Sequence, residues 1–322
     1  MHAIVYHHYG SPSELRPEQV KKPVPAENEV LVKVHAASVN SWDWDLLTGK
    51  PYIYRLMFGL LRPKYNIIGS DIAGTVEKAD ARVTRFTPGD EVFGDISGIG
   101  FGAFAEYVCV PESLLARKPA KMDFTEAAAL PQAGVLALQG LRWAGGPKAG
   151  QKILLNGAGG GVGTLALQLA KHNGARVTCV DSEEKLGMLK ELGADHVIDY
   201  RKSDFIRRGD KYDLILDVAA NRPISCYYRA LEKKGKMGVI GGAVSTILQI
   251  PLIGPLKNRK GGKKVGLVMH KPNADDLKVL GDLYKEGIIK PVIDQQFPLE
   301  ETAKAIQLLG EGKAKGKLVI TI

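Results

Sequence analysis

A run of glycines near the middle of the chain has the clearest chemical meaning. The turn Gly157–Gly163 follows the apolar segment Lys152–Asn156 and leads into the amphipathic stretch Gly163–His172. A strand, a glycine-rich turn and a helix in this order are typical of a dinucleotide-binding unit, because the backbone can approach a pyrophosphate and the helix start offers free N–H groups. A plain tight turn is the alternative, and the strict glycine register fits only with Ala158 in its first place. The predicted dinucleotide-binding residues are Ala158, Gly159, Gly160, Gly161, Val162 and Gly163.

The end of the next predicted strand bears on the choice of cofactor. Asp181 lies eighteen positions after Gly163, where an acidic side chain binds a ribose 2′-hydroxyl and so favours NADH. Ser182 and Lys185 favour NADPH, because a hydroxyl and an ammonium suit a 2′-phosphate. A solvated helix face is the alternative for Lys185. From these residues alone the choice stays open.

Residues that could bind a metal are sparse. Cys109, Cys179 and Cys226 lie far apart in the sequence, without metal-ligand spacing and without the pattern of a disulfide framework. The seven histidines are scattered, apart from the pair His7 and His8. Because zinc is held by three or four cysteine, histidine or carboxylate ligands, we predict no metal site and expect a reducing compartment.

The elements that position these residues change in character along the chain. Up to about residue 120, short alternating segments such as Glu29–Ala36 are separated by glycine and proline turns, which predicts a barrel-like, mostly-β region. From about Thr125 helical and strand patterns alternate, which predicts a parallel, doubly wound sheet. Two further helices, over Asp275–Glu286 and Leu299–Gly310, precede a final strand.

Composition and charge exclude several classes. A chain of 322 residues with 45% hydrophobic and 25% charged residues is globular rather than disordered, and it is long enough for two domains. The net charge of +9 favours anionic partners, such as a phosphate-bearing cofactor, but no nucleic-acid recognition module is present, so we expect no specific nucleic acid. The N-terminus lacks a targeting pattern, and the apolar run Val244–Leu256 is too short and too broken to span a bilayer. We therefore expect a cytoplasmic protein.

Several motifs occur together in one order along the chain. They are Ala36–Asp43, Gly69–Gly74, Pro88–Val92, Gly102–Tyr107, Asn156–Gly163, Leu192–Tyr200 and Gly312–Ile320. Over essentially its whole length the chain resembles the zinc-free, quinone oxidoreductase-like branch of the medium-chain dehydrogenase/reductase superfamily, and within it the reticulon-interacting mitochondrial oxidoreductases and their bacterial relatives. The resemblance implies an α/β Rossmann domain with a parallel doubly wound sheet, plus a GroES-like, mostly-β catalytic domain. The expected boundaries are 1–122 for the GroES-like domain, 123–261 for the Rossmann domain and 262–322 for the return to the catalytic domain, with the active site in the cleft between them.

The same resemblance assigns further cofactor residues. Related NADPH enzymes have a lysine after the second strand and a tyrosine after the third, which Lys185 and Tyr200 match in type and spacing. Gly241 and Lys315 fall in family segments expected to contact the cofactor. Although the nearest group usually has a small neutral residue where Asp181 stands, the resemblance favours NADPH, with NADH kept open by Asp181.

The resemblance also argues against zinc catalysis. In the zinc alcohol dehydrogenases of the superfamily a cysteine stands where Asn40 stands here, and a histidine where Ser70 stands. Without a Lewis acid, hydride transfer to a quinone or an activated alkene is easier than alcohol oxidation, because the charge delocalises. By resemblance Asn40 binds the nicotinamide ribose or the acceptor carbonyl, with a turn cap as the alternative. The chain is thus predicted to be a zinc-independent, NADPH-dependent quinone reductase. The first alternative is the reduction of enones, 2-alkenals or enoyl thioesters. The second alternative is an NADPH-binding interaction protein with little turnover.

Tyr52 and two apolar stretches remain open. Enoyl-thioester reductases of the superfamily have a proton-donating tyrosine soon after a similar glycine, so Tyr52 is a catalytic candidate, with Tyr54 as a competitor and an aromatic cleft wall as the other interpretation. The stretches Tyr52–Leu61 and Val244–Leu256 are interpreted as walls for a small hydrophobic acceptor, as packing in an expected homodimer, or as weak contacts with an acidic membrane surface. Five basic residues follow the second stretch: Lys257, Arg259, Lys260, Lys263 and Lys264.

Overall fold

The structure is a computed structural model that describes residues 1–258 and 262–322, with side chains described outside 256–261. The chain divides into two compact units. The first unit contains Met1–Val135 and Lys271–Ile322, and the second contains Leu136–His270. Of the five basic residues after the second apolar stretch, Arg259 and Lys260 lie outside the described residues, as does the side chain of Lys257.

The bounds of the secondary-structure elements are as follows. The strands are β1 (His2–Val5), β2 (Arg16–Gln19), β3 (Glu29–Val39), β4 (Asp71–Ala79), β5 (Glu91–Asp95), β6 (Tyr107–Pro111), β7 (Leu115–Arg117), β8 (Lys152–Asn156), β9 (Arg176–Asp181), β10 (His196–Asp199), β11 (Tyr212–Asp217), β12 (Leu231–Val239), β13 (Lys264–Leu267), β14 (Ile293–Pro298) and β15 (Lys317–Thr321). The helices are α1 (Ser41–Thr48), α2 (Ile53–Phe58), α3 (Phe124–Ala128), α4 (Pro131–Trp143), α5 (Gly161–His172), α6 (Glu183–Glu191), α7 (Ile224–Ala230), α8 (Val244–Asn258), α9 (Ala274–Lys285) and α10 (Thr302–Gly310).

The first unit is built around a mostly antiparallel sheet. Its strands follow the order β14-β15-β3-β4-β5-β7, and β6 also pairs with β3. The final strand β15 runs antiparallel to β3, with Leu318 opposite Val39. Both ends of the chain therefore build one sheet. Its apolar side chains form a common core that includes Leu47, Ile72 and Phe104.

The second unit is a parallel sheet covered by helices. Its strand order is β10-β9-β8-β11-β12-β13, and every pairing in it is parallel. When β8 is counted as the first strand, this order is 3-2-1-4-5-6, that of a dinucleotide-binding Rossmann fold. The strands bury both of their faces, as Ile153, Leu154 and Leu155 do in β8, because helices pack on each side. The predicted fold class is confirmed.

The apolar segment from Val244 onward forms α8, a helix that contains Pro251 and Pro255. Its side chains Leu248 and Leu252 are exposed by 50% and 73%. Among the described residues no helix is long and apolar enough to cross a membrane.

Candidate functional site

The glycine turn of the second unit connects β8 to α5. Gly157 has a φ of +76°, which lets the chain turn sharply after the strand. A Cβ atom on Gly163 would lie 2.4 Å from the carbonyl oxygen of Ala158, so this position needs glycine for close packing. A Cβ on Gly160 would meet only the Gly157 carbonyl oxygen, at 3.8 Å. Open space therefore adjoins the start of α5, where the first N–H groups have no partners within the helix. The turn fits a dinucleotide pyrophosphate.

Asp181 ties the end of β9 to this turn. Its Oδ2 accepts a hydrogen bond from the Gly159 N–H at 2.7 Å, and its Oδ1 accepts one from the Ser182 N–H at 2.8 Å. The Lys185 Nζ lies 3.7 Å from Asp181 Oδ1, and both side chains are about nine-tenths buried. Asp181 thus anchors the backbone of the turn, and Lys185 offsets its charge.

The remaining predicted cofactor residues lie in different surroundings. The Tyr200 N–H donates to the carbonyl oxygen of Asp181 at 3.2 Å, which brings Tyr200 to the same sheet edge as Ser182 and Lys185. Gly241 follows β12, and its carbonyl oxygen accepts the Ala220 N–H at 3.0 Å. Lys315 belongs to the first unit, on the exposed turn before β15.

In the first unit, Asn40 lies between β3 and α1 in a buried hydrogen-bond network. Its Nδ2 donates to Asp71 Oδ2 at 2.9 Å and to Ser70 Oγ at 3.2 Å. Its Oδ1 accepts a hydrogen bond from Lys317 Nζ at 2.5 Å. The Asn40 backbone N–H donates to Asp43 Oδ2 at 2.8 Å, in the first turn of α1. Asn40 is therefore both the N-terminal cap residue of a helix and the centre of a polar network.

Lys317 supplies the positive charge of this network. Its Nζ also donates to Asp71 Oδ2 and to the Val39 carbonyl oxygen, both at 3.2 Å. The side chains of Lys317 and Asp71 are 4% and 0% exposed, so the ion pair is buried. Burial raises the pKa of Asp71, and the Lys317 ammonium opposes that shift. Neither residue is predicted from the sequence as a site residue, although a lysine that opens the apolar strand β15 is a signal of a buried cation.

Asp43 is a second buried carboxylate beside the network. It accepts hydrogen bonds from the N–H groups of Asn40 and Gly69, at 2.8 and 2.9 Å. Burial raises the pKa of Asp43 to about 7 against the lowering effect of these hydrogen bonds. The backbone and the side chain of Asn40 are thus fixed by separate partners.

The two candidate tyrosines have unequal surroundings. Tyr52 precedes α2 and is 67% exposed, with the Arg55 guanidinium carbon 5.1 Å from its ring centroid. Tyr54 is half-buried, and its ring centroid lies 5.6 Å from that of Trp42. Burial raises the pKa of Tyr54, and the Asp45 carboxylate raises it further. The structure therefore places Tyr52 at the protein surface.

Potential metal ligands do not converge in the described ranges. There, no group of three or more histidine, cysteine, aspartate or glutamate side chains is placed to hold a metal ion. Cys179 is buried, and Cys109 and Cys226 are half-buried, all three as free thiols.

Comparison with known proteins identifies the family. Residues 26–120 match the family described as the alcohol dehydrogenase GroES-like domain, and residues 192–320 match the family described as zinc-binding dehydrogenase. The chain is 34% identical to the chloroplast envelope quinone oxidoreductase homolog of Arabidopsis thaliana, over 99% of this chain and 98% of the relative. It is also 34% identical to the NADPH-dependent alkenal/one oxidoreductase of the same plant, over 99% of this chain and 79% of the relative.

A solved structure extends the likeness to three dimensions. The quinone oxidoreductase of Escherichia coli, crystallised with NADPH, superposes with a TM-score of 0.88 at 25% identity and covers 100% of both chains. Fold, glycine turn and relatives thus agree along the full length. The chain belongs to the quinone oxidoreductase branch of the medium-chain dehydrogenase/reductase superfamily, and it is an oxidoreductase that uses a nicotinamide cofactor.

Proposed function

We propose that the protein is a zinc-independent, NADPH-dependent reductase of quinone-type acceptors. The observation that carries this proposal is the network around Asn40. Asn40 and Ser70 stand where related alcohol dehydrogenases have two zinc ligands, and here their side chains are hydrogen-bonded to each other. The Lys317 ammonium, 2.5 Å from Asn40 Oδ1, would repel a second cation. Zinc prefers thiolate, imidazole and carboxylate ligands, so these residues do not fit it.

The acceptor follows from the absence of zinc ligands at these positions. Without a Lewis acid, the negative charge left by hydride transfer must be stabilised by the acceptor itself, as quinones and activated alkenes can do. A reduced quinone takes its proton from water, whereas an enone needs a proton on carbon and so benefits from a general acid. Since Tyr52 is exposed, quinones are the first candidate. Enones are the second, favoured by the likeness to the alkenal/one oxidoreductase.

Two groups of residues would hold the cofactor, which supplies a hydride when bound. The turn Ala158–Gly163 suits the pyrophosphate, and Ser182, Lys185 and Tyr200 suit the 2′-phosphate. Asp181 is less available to ribose hydroxyls than in an NADH enzyme, because its oxygens accept two backbone hydrogen bonds. These contacts support NADPH over NADH.

The hydrogen bonds of the Asn40 side chain limit the contacts that it could make with a cofactor or an acceptor. Both amide hydrogens are committed to Ser70 and Asp71, and one lone pair of Oδ1 is committed to Lys317. The capping box of α1 also directs the Asn40 side chain toward the backbone N–H of Asp43. Asn40 has no amide hydrogen left to donate to an acceptor carbonyl, so its oxygen is the atom suited to contact a ribose hydroxyl.

A panel of acceptors tests the proposal. Purified protein is supplied with NADPH and either quinones, enones or 2-alkenals, and NADPH oxidation is followed while the metal content is measured. We expect the fastest turnover with quinones, no stoichiometric zinc and no effect of chelators. Tight NADPH binding without turnover of any acceptor would instead indicate an interaction protein. One zinc per chain, lost together with activity, would contradict the ligand argument.

Three further expectations stay predictions. Lys315 is proposed to contact the cofactor, and the protein is proposed to form a homodimer. We also propose a cytoplasmic location, although both plant relatives carry chloroplast names. Cross-linking and sedimentation test the homodimer, and cell fractionation tests the location.

A further inference from the structure

The segment around α2 exposes an unusual number of apolar side chains. Ile53, Leu56, Met57, Leu60 and Leu61 are exposed by 50%, 73%, 65%, 63% and 86%. We call these five residues the outer face. A helix at a protein surface normally turns polar side chains outward, whereas here the outward positions are apolar. No residue proposed above to hold the cofactor belongs to the outer face.

The opposite side of the segment packs against other aromatic side chains. The ring of Phe58 has its centroid 6.1 Å from that of Trp42 and 6.0 Å from that of Phe101, and Tyr54 also contacts Trp42. The Tyr9 hydroxyl donates to the Phe58 carbonyl oxygen at 3.2 Å. Ile53, Leu56 and Met57 of the outer face are therefore presented by a short helix that packs on its other side, and Leu60 and Leu61 follow that helix.

The charge around the outer face has one sign. Between Asp45 and Asp71 the sequence contains no acidic residue and four basic ones. Arg55 is held inward, because its Nε donates to the Gly49 carbonyl oxygen at 3.1 Å. The other three, Lys50, Arg62 and Lys64, are exposed, and none of them pairs with a carboxylate in the described part of the chain. They form a cationic rim.

We propose that the outer face and its cationic rim bind the surface of a lipid bilayer that contains anionic lipids. The apolar side chains would enter the boundary between headgroups and acyl chains, while Lys50, Arg62 and Lys64 contact the anionic headgroups. A second copy of the chain fits less well, because a two-fold interface would place the two cationic rims against each other. This proposal does not depend on the acceptor or on the cofactor.

Vesicle sedimentation tests the proposal with the full chain. Vesicles are made of phosphatidylcholine alone or with part of it replaced by phosphatidylglycerol, at low and high salt. We expect binding only to the phosphatidylglycerol vesicles, weakened by salt. The double variant Leu56→Ser, Leu61→Ser should bind at least about tenfold more weakly, because each buried CH₂ group contributes to partitioning. Arg62→Gln with Lys64→Gln should also weaken binding and reduce its salt dependence.

Val24→Ser is the matched control, because Val24 and Leu56 are both 73% exposed and Val24 lies outside the segment. It should bind vesicles like the unmodified protein. Circular dichroism and NADPH binding without vesicles should be unchanged in all variants, which separates this proposal from the enzymatic one. Three outcomes would overturn it: no preference for anionic vesicles, unchanged binding in the leucine variant, or a homodimer that dissociates when Leu56 and Leu61 are replaced.

Discussion

At the scale of single residues, the proposed preference for NADPH depends on Lys185. Its ammonium lies 3.7 Å from Asp181 and at the same sheet edge as Ser182. We expect Lys185→Ala to weaken NADPH binding by about 1–3 kcal/mol, because a charge-assisted hydrogen bond to the 2′-phosphate is lost. NADH binding should stay nearly unchanged. Titration calorimetry with both cofactors measures the two affinities.

Lys190→Ala provides the control for that measurement, because Lys190 is exposed on the same helix. It removes the same charge and should leave both affinities close to those of the unmodified protein. An unmodified protein that binds NADH more tightly than NADPH would contradict the assignment. Asp181 would then be a ribose ligand as well as an anchor of the turn.

The hydroxyl group of Tyr52 decides whether this residue is a proton donor. We expect Tyr52→Phe to change quinone and enone turnover by less than about tenfold, because an exposed hydroxyl is not held in place as a general acid. The ring and its contact with Arg55 are kept, so folding should not change. Steady-state rates with one quinone and one enone are compared with those of Tyr54→Phe. A loss of about a hundredfold or more confined to the enone would make Tyr52 the proton donor and enone reduction the first candidate.

At the scale of elements, Lys317 connects the last strand, β15, to β3 and β4. It pairs with Asp71 on β4 and binds the end of β3, with both charges buried. We expect Lys317→Met to lower the free energy of unfolding by about 3–5 kcal/mol, since Asp71 is left buried and unpaired. Adding Asp71→Asn should recover part of that loss. Urea denaturation of the two single variants and the double variant measures the coupling; strictly additive losses would show that the pair is not coupled.

The difference between local signals and long-range contacts explains what the sequence could predict. The unit β8–α5–β9 was predictable because its signals, an apolar strand, a glycine turn and an amphipathic helix, are local. The network of Asn40 was not, because Lys317 lies 277 residues away and no local pattern links them. The alternating residues Ala103–Val110 predict a strand from Ala103 onward. β6 begins only at Tyr107, because the Ala103 N–H donates to the distant carbonyl oxygen of Gly69. Long-range hydrogen bonds override local alternation there.

At the scale of the whole molecule, buried carboxyl groups couple stability to pH. Burial raises the pKa of Asp43 and of Asp45 to about 7, and that of Asp217 to about 6. Each group binds its proton more tightly in the folded state than in the unfolded chain. Stability is therefore greatest when these groups are protonated, and it falls as the pH rises through their folded pKa values. This change of stability with pH is opposite in sign to that caused by a carboxylate stabilised by a salt bridge.

Asp217 offers the cleanest test of this coupling, because its side chain is fully buried and its Oδ1 accepts two hydrogen bonds that an amide oxygen could also accept. Oδ1 accepts from Asn156 Nδ2 at 2.8 Å and from the Ala219 N–H at 2.9 Å, and the amide oxygen of Asp217→Asn can keep both. We expect the variant to match the unmodified protein near pH 4, where Asp217 is protonated, and to be more stable by about 1–3 kcal/mol near pH 8. Thermal or urea unfolding across this range gives both profiles. Two parallel profiles would mean that Asp217 ionises in the folded protein without cost, and that its burial does not govern the pH dependence.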